Sequence, residues 1–263
     1  MKLPLYQVDA FTSRPFAGNP AAVVPLENWL ADSTLQAIAA ENNLSETAFF
    51  VKNGDRYHLR WMTPAVEVDL CGHATLASAY VIFQHLEPHR QSVAFDTRSG
   101  ELLVERDGEL LSLDLPARKP TPCPPSAALA DALGAPPAAL FGSRDYLALY
   151  QTEEEVLALA PDMAKLSAID RFAVIATAPG RNCDFVSRFF APAKGVPEDP
   201  VTGSAHASLV PFWGERLGKQ RMFARQVSSR GGELHCEWRG ERVIVKGQVA
   251  PYLEGAITLP DAD

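Results

Sequence analysis

The feature that most constrains this chain is that it repeats itself. Arg98-Ser99-Gly100-Glu101-Leu102 recurs as Arg230-Gly231-Gly232-Glu233-Leu234. Glu105 then matches Glu237, and Gly108-Glu109 matches Gly240-Glu241, all at an offset of 132. Earlier in each half, Arg60-x3-Pro64-Ala65 is matched by Arg188-x3-Pro192-Ala193, at an offset of 128. Gly72-His73 is matched by Gly203-Ser204, at 131. The order in both halves is strand, Pro-Ala, glycine, apolar helix and Gly-Glu hairpin. Generic hairpin chemistry supplies isolated matches; ordered matches at nearly one offset point to a duplicated α+β lobe.

The stretch His73 to Leu86 explains what each lobe is built around. Ala74, Leu76, Ala77, Ala79, Tyr80, Val81, Ile82 and Phe83 leave it no polar face, and a helix apolar all round must be enclosed by protein. Ser204 to Trp213 is the weaker counterpart. Strands wrapped around each helix would enclose it. Leu5 to Phe11, Ala48 to Lys52 and Tyr57 to Met62 alternate as half-buried strands do. Glu101 to Glu105 and Leu110 to Leu115 read as a hairpin turned at Asp107-Gly108. Asp32 or Ser33 can cap a helix running to about Asn42, with Leu35, Ile38 and Ala39 inward. An acid-rich helix is expected over Glu153 to Leu166. Prolines at 116, 120, 122, 124 and 125 mark a linker. The lobes are expected at 1–117 and 118–249, with the tail 250–263 returning to the first.

Composition narrows the function. Of the 263 residues, 47% are hydrophobic and 21% charged, which excludes a disordered tail, a collagen and a disulfide knot. The net charge of −8 argues against nucleic acid and anionic membrane as partners. Cys71, Cys123, Cys183 and Cys236 are widely spaced and the six histidines are scattered. No metal-clamping spacing is present, so no metal is expected, and a reducing compartment is. There is no signal-peptide start, and no run approaches the ~18–20 apolar residues of a membrane span. A cytoplasmic protein is the expectation. No glycine-rich nucleotide fingerprint or phosphate loop occurs, so no cofactor is expected.

If two such lobes face each other, Gly72 and Gly203 open both central helices. Unpaired N–H groups at the two helix starts would suit a small carboxylate, even in an acidic protein. Four strings lie where such a site would form: Phe16-Ala17-Gly18-Asn19-Pro20-Ala21-Ala22-Val23, Asn43-Leu44-Ser45-Glu46-Thr47-Ala48-Phe49, Asp69-Leu70-Cys71-Gly72-His73-Ala74-Thr75 and Glu198-Asp199-Pro200-Val201-Thr202-Gly203-Ser204-Ala205. By themselves these residues leave alternatives open. Glu46 is either a solvated loop residue or a part-buried carboxyl able to carry a proton near neutral pH. His73 is either a satisfied core histidine or a donor whose charged form the helix start disfavours. Gly18-Asn19-Pro20 is also a plausible turn, and Asp199-Pro200 a common turn opener. His206, matched by Thr75, reads as a core or supporting residue.

Taken together, the four strings resemble the PhzF-like family of phenazine-biosynthesis-type isomerases, within the wider diaminopimelate epimerase fold. The resemblance covers nearly the whole chain. It implies two pseudo-symmetric lobes, each a strongly curved sheet or barrel around its central helix, with the active site in the cleft between them. It implies Glu46 as the catalytic acid/base, with His73 and Asp199 beside it. Gly18, Asn19, Gly72, Gly203 and Ser204 would bind substrate, and the protein would be a homodimer. Cys71 stands where related epimerases carry the first of two catalytic thiols. Its counterpart is Thr202, and neighbouring Ser204 and Ala205 are not thiols either. Half the apparatus of a two-base racemase is therefore missing, which favours Cys71 as a small packing residue. The expected activity is a one-base, cofactor-independent isomerisation of a small carboxylate. An epimerase using Cys71 with a second base, and a non-catalytic binding module, are the alternatives.

Overall fold

A computed structural model describes residues 1–260. The chain forms two compact units, residues 1–114 with the described residues from 246 onward, and residues 115–245. In the first unit the strands are β1 (Lys2–Ala10), β2 (Asn19–Leu26), β3 (Glu46–Asn53), β4 (Arg56–Met62), β5 (Glu67–Val68), β6 (Ser92–Thr97), β7 (Gly100–Asp107) and β8 (Leu110–Pro116). In the second they are β9 (Thr121–Cys123), β10 (Ala139–Gly142), β11 (Tyr146–Leu149), β12 (Val174–Pro179), β13 (Phe185–Ala191), β14 (Val196–Asp199), β15 (Arg221–Gln226), β16 (Gly232–Arg239) and β17 (Arg242–Gly247). The last strand, β18 (Val249–Thr258), returns to pair antiparallel with β1.

The duplication is visible strand for strand. In the first unit β1 and β2 are antiparallel, β2 and β3 parallel, and β3 and β4 antiparallel. β4 takes short β5 antiparallel and β6 parallel, and β6 is antiparallel to β7. The second unit repeats that sequence of senses through β10, β11, β12, β13, β14, β15 and β16. Even the strand added before the series agrees, with β18 antiparallel to β1 and β9 antiparallel to β10.

Helix α1 (Asp32–Asn42) connects β2 to β3, and α2 (Gly72–Val81) connects β5 to β6. Leu35, Ile38 and Ala39 face inward in α1 as the pattern predicts, but its cap is Ala31, with no side-chain cap bond, rather than Asp32 or Ser33. α2 buries every residue but Tyr80 and continues as a π-helical turn over Ile82–Leu86. It packs against β1, β2 and β3. Leu76, Val81, Ile82 and Phe83 are fully enclosed, each contributing about 1.5–3 kcal/mol of burial.

The second unit has α3 (Ala127–Leu133), α4 (Glu153–Ala158), α5 (Met163–Leu166) and α6 (His206–Leu217). The single helix expected over Glu153 to Leu166 is thus two, because Pro161 disfavours helical geometry at Ala160 and cannot donate in a helix interior. The proline-rich linker is also not wholly irregular, since β9 lies within it. The central helix α6 is preceded by a 3-10 turn, Gly203–Ala205, and is enclosed from His206 to Gly214. Pro211 sits inside α6 and frees the carbonyl four residues back. The backbone N–H of Arg118 takes that orphan, donating to Ala207 at 2.8 Å. Among the described residues no helix is long and apolar enough to cross a membrane.

Candidate active site

In the first unit four of the expected site residues converge at the start of α2. Gly72 opens the helix, and Cys71 precedes it in an extended conformation with no side-chain cap bond. The hydroxyl of Thr75 donates to the Cys71 carbonyl at 2.5 Å, tying off the first turn. His73, 3% exposed, lies among polar groups of Asn19, Cys71 and Glu46 and beside the Pro20 backbone. Its Nδ1 is 3.1 Å from the Asn19 amide nitrogen and 3.4 Å from the Cys71 sulfur. Its Nε2 is 3.2 Å from Oε2 of Glu46, the first residue of β3. That last contact is close but off-line, a polar approach rather than a formed hydrogen bond. The Asn19 amide N–H and the Cys71 S–H can both donate to Nδ1, and in that tautomer the ring proton sits on Nε2, toward Glu46.

Burial pushes the His73 pKa down to about 3, against a smaller upward pull from the Pro20 backbone. The imidazole is neutral at physiological pH, as the sequence led us to expect, but burial is the cause rather than the helix start. Asn19 is delivered by a tightly wound loop in which Phe11, Phe16 and Gly18 all take left-handed φ. The buried carboxylate of Asp9 accepts the Phe16 N–H at 2.9 Å. At Gly18 any side chain would collide with the Ala10 carbonyl and with Thr12. Sequence reasoning treated Cys71 as packing; it is buried as that reading requires, yet it also touches His73.

In the second unit Asp199 ends β14 and its Oδ2 accepts the Thr202 hydroxyl at 2.5 Å. Thr202 stands before Gly203 as Cys71 stands before Gly72, again extended and without a cap bond. His206 repeats the part played by Thr75: its Nδ1 donates to the Thr202 carbonyl at 2.9 Å. Burial pushes its pKa down to about 4, so it too is neutral. Gly203 is buried and Ser204 half-buried in the 3-10 turn. Sequence reasoning missed Gln226, the buried last residue of β15. It accepts from the Thr202 N–H at 2.8 Å and donates to the Asp199 carbonyl at 2.7 Å. No spacing in the sequence signals a bond that spans so many residues.

Residues 8–255 match the family model PhzC-PhzF, described as phenazine biosynthesis-like protein. The chain belongs to this PhzF family. An uncharacterized isomerase of Pseudomonas aeruginosa is 52% identical over 259 residues, covering 98% of this chain and all of the relative. The crystal structure of a PhzF-family phenazine biosynthesis protein from Enterococcus faecalis is 46% identical, with a TM-score of 0.96 over 98% of this chain and 100% of that one. A predicted epimerase from Pseudomonas aeruginosa, 20% identical, gives a TM-score of 0.79 at the same coverage and speaks for the fold alone. The fold is diaminopimelate epimerase-like, and membership places the chain in an isomerase family. The PhzF resemblance read from the four strings is thereby established.

Proposed function

We propose that this PhzF-family chain is a cofactor-independent isomerase of a small carboxylate, with Glu46 as its acid/base. The observation that carries the reading is the 3.2 Å approach of Glu46 Oε2 to Nε2 of a buried, neutral His73 at the start of α2. Glu46 takes a proton from a substrate carbon. The electron pair of that C–H bond moves into the adjoining conjugated system, and Glu46 returns the proton to another carbon on the same face. A neutral imidazole with its proton on Nε2 supports this as a donor to charge developing on substrate oxygen. The N–H groups opening α2 bind the substrate carboxylate. Asp199, Gly203 and Ser204 bind its remaining polar groups, with Gly18 and Asn19 completing the contacts. The protein works as a homodimer in the cytoplasm, without nucleic acid, membrane or cofactor.

Metabolite profiling of a deletion strain identifies the substrate. Glu46→Gln, checked for folding, then retains substrate binding while turnover falls by about 10²–10⁴-fold, the range for losing a general acid/base. Wild-type turnover in deuterated water places deuterium in the product to the extent that Glu46 exchanges with solvent. Near wild-type turnover by Glu46→Gln sinks the reading. A second reading, an epimerase using the Cys71 thiol, draws on the 3.4 Å approach of its sulfur to His73. Loss of several orders of magnitude in Cys71→Ser, with inversion at one carbon, would favour it over the one-base shift.

A further inference from the structure

We propose that Glu46, Cys71 and His73 form a capture site for one zinc-class divalent cation, whose binding occupies the Glu46 carboxylate. Each residue offers one ligand atom, and the three atoms lie within 4.8 Å of one another. A thiolate, an imidazole and a carboxylate form a zinc-type ligand set. Hard cations such as Mg²⁺ prefer six oxygens and tolerate a thiolate poorly. One pair of the set already has the spacing that the ion needs. Metal–ligand bonds of about 2.0–2.3 Å place tetrahedral donors roughly 3.3–3.8 Å apart. Nε2 of His73 and Oε2 of Glu46, at 3.2 Å, already nearly meet that. The Cys71 sulfur now lies 3.4 Å from the other ring nitrogen, Nδ1, so the ion must draw it toward Nε2 to complete the set.

Ligation through Nε2 requires the ring proton to move to Nδ1, and Asn19 is placed to receive it. Its amide nitrogen is 3.1 Å from Nδ1, so turning the amide end for end presents Oδ1 to Nδ1–H. That is the usual arrangement behind a metal-bound histidine, where the distal N–H is held by an oxygen acceptor. Three protein ligands leave a fourth position for water, as in open zinc sites. Glu46, whose side chain is 13% exposed, gives the ion its way in. On binding, the thiol proton is released and the carboxylate lone pairs are taken. The cation thereby holds the carboxylate, independently of what substrate that carboxylate serves.

The test reads binding without substrate, so its failure and the failure of the isomerase reading are separate events. Zn²⁺ is titrated calorimetrically into the folded wild type, and the zinc X-ray absorption edge of the one-to-one complex is measured. The expected result is one equivalent bound, with one sulfur at about 2.3 Å and the other ligands nitrogen or oxygen. A zinc shell without sulfur overturns the proposal, as does the absence of stoichiometric binding. Co²⁺ should give a thiolate-to-metal charge-transfer band that Zn²⁺ abolishes and Mg²⁺ does not. That band should survive Cys123→Ser and vanish in Cys71→Ser; the reverse pattern overturns the assignment. Asn19→Ala should weaken Zn²⁺ binding about 10–100-fold, the cost of losing a partner that only orients a ligand, and Cys71→Ser should cost more. Equal affinity in wild type and Cys71→Ser would end the idea.

Discussion

Gln226 and Thr202 are bonded twice: the Thr202 N–H donates to Oε1 of Gln226 at 2.8 Å, and Nε2 donates to the threonine hydroxyl at 3.2 Å. The same Nε2 reaches the Asp199 carbonyl at 2.7 Å. One buried amide thus closes the turn from Asp199 to the start of the second central helix. Gln226→Leu leaves the Thr202 N–H and the Asp199 carbonyl without this partner in a dry setting. Such groups cost about 1–3 kcal/mol each, so a loss of roughly 3 kcal/mol in urea unfolding is expected. Gln226→Glu keeps the acceptor for Thr202 but sets an oxygen against the Asp199 carbonyl. Its deficit relative to wild type should shrink as pH falls and the carboxyl gains a proton. A deficit that does not change with pH would show that the donor to Asp199 contributes nothing.

Gly18 carries a steric demand that can be tested directly. Its φ is +65°, and a β-carbon would meet the Ala10 carbonyl. Gly18→Ala must either accept the clash or unwind the loop that brings Asn19 to His73. A left-handed non-glycine residue alone costs about 1–3 kcal/mol, and the backbone clash adds to it. The expected outcome is a lowered melting temperature together with a changed His73 ring resonance by NMR. A variant matching wild type in both would mean that the loop relaxes freely.

The arginines of the repeat make a third comparison possible. Arg60 forks Glu67 through Nε and Nη2, both at 2.8 Å, and its Nη1 reaches Asp32 at 2.9 Å. Arg188 forks Glu198 at 2.8 and 2.9 Å, and its Nη1 donates to the Val156 and Leu159 carbonyls at 3.2 and 2.8 Å. Each arginine ties the segment leading into a central helix to another helix, α1 in one unit and α4 in the other. Arg60→Met should cost about 1–3 kcal/mol, held down because Glu67 keeps a second partner, Arg98 at 2.8 Å. Arg188→Met should cost more. Asp32 is solvated and loses little, whereas the carbonyls around the end of α4 lose their donor. Equal costs in parallel urea titrations would contradict this ranking.

What was legible in the sequence follows from what is local. The apolar run from His73, the Asp107-Gly108 turn and the ordered matches around Arg60 and Arg188 each need only a short window, and the fold follows from them. The break at Pro161 is also written in the chain, although the acid-rich segment from Glu153 and the residues to Leu166 both favour helix. Partners that meet only in the fold were not legible. Nothing near Arg188 marks Glu198 as its mate, nothing near Gln226 points to Thr202, and nothing about Cys71 alone says that its sulfur lies beside His73. For the site, sequence carried the identities of Glu46, Asn19 and His73 through resemblance. Their convergence depends on register: Ala21 opposite Glu46 in β2 and β3 brings Asn19 near the glutamate.

The two buried histidines set the last prediction, a pH dependence of stability. Burial holds His73 near 3 and His206 near 4 in the folded chain, while in the unfolded chain both titrate near the ordinary value of about 6.5. Between those limits the unfolded state binds more protons than the folded one. Stability is therefore complete above about pH 6.5 and falls as the solution is acidified. Each histidine contributes a slope approaching about 1.4 kcal/mol per pH unit, so two together remove roughly 2–3 kcal/mol per unit below pH 6. That is a large part of an ordinary stability of about 5–15 kcal/mol. Carboxylates held down by partners act in a lower window: Glu87, held near 2 chiefly by Lys52 and Tyr57, loses its contribution only below about pH 4.5. Urea midpoints measured from pH 8 to pH 4.5 should be flat at first and then fall steeply. His206→Gln should remove about half of the slope, and His73→Gln the other half, even if each lowers the plateau. A slope that neither substitution changes would mean that both rings gain their protons without leaving the core.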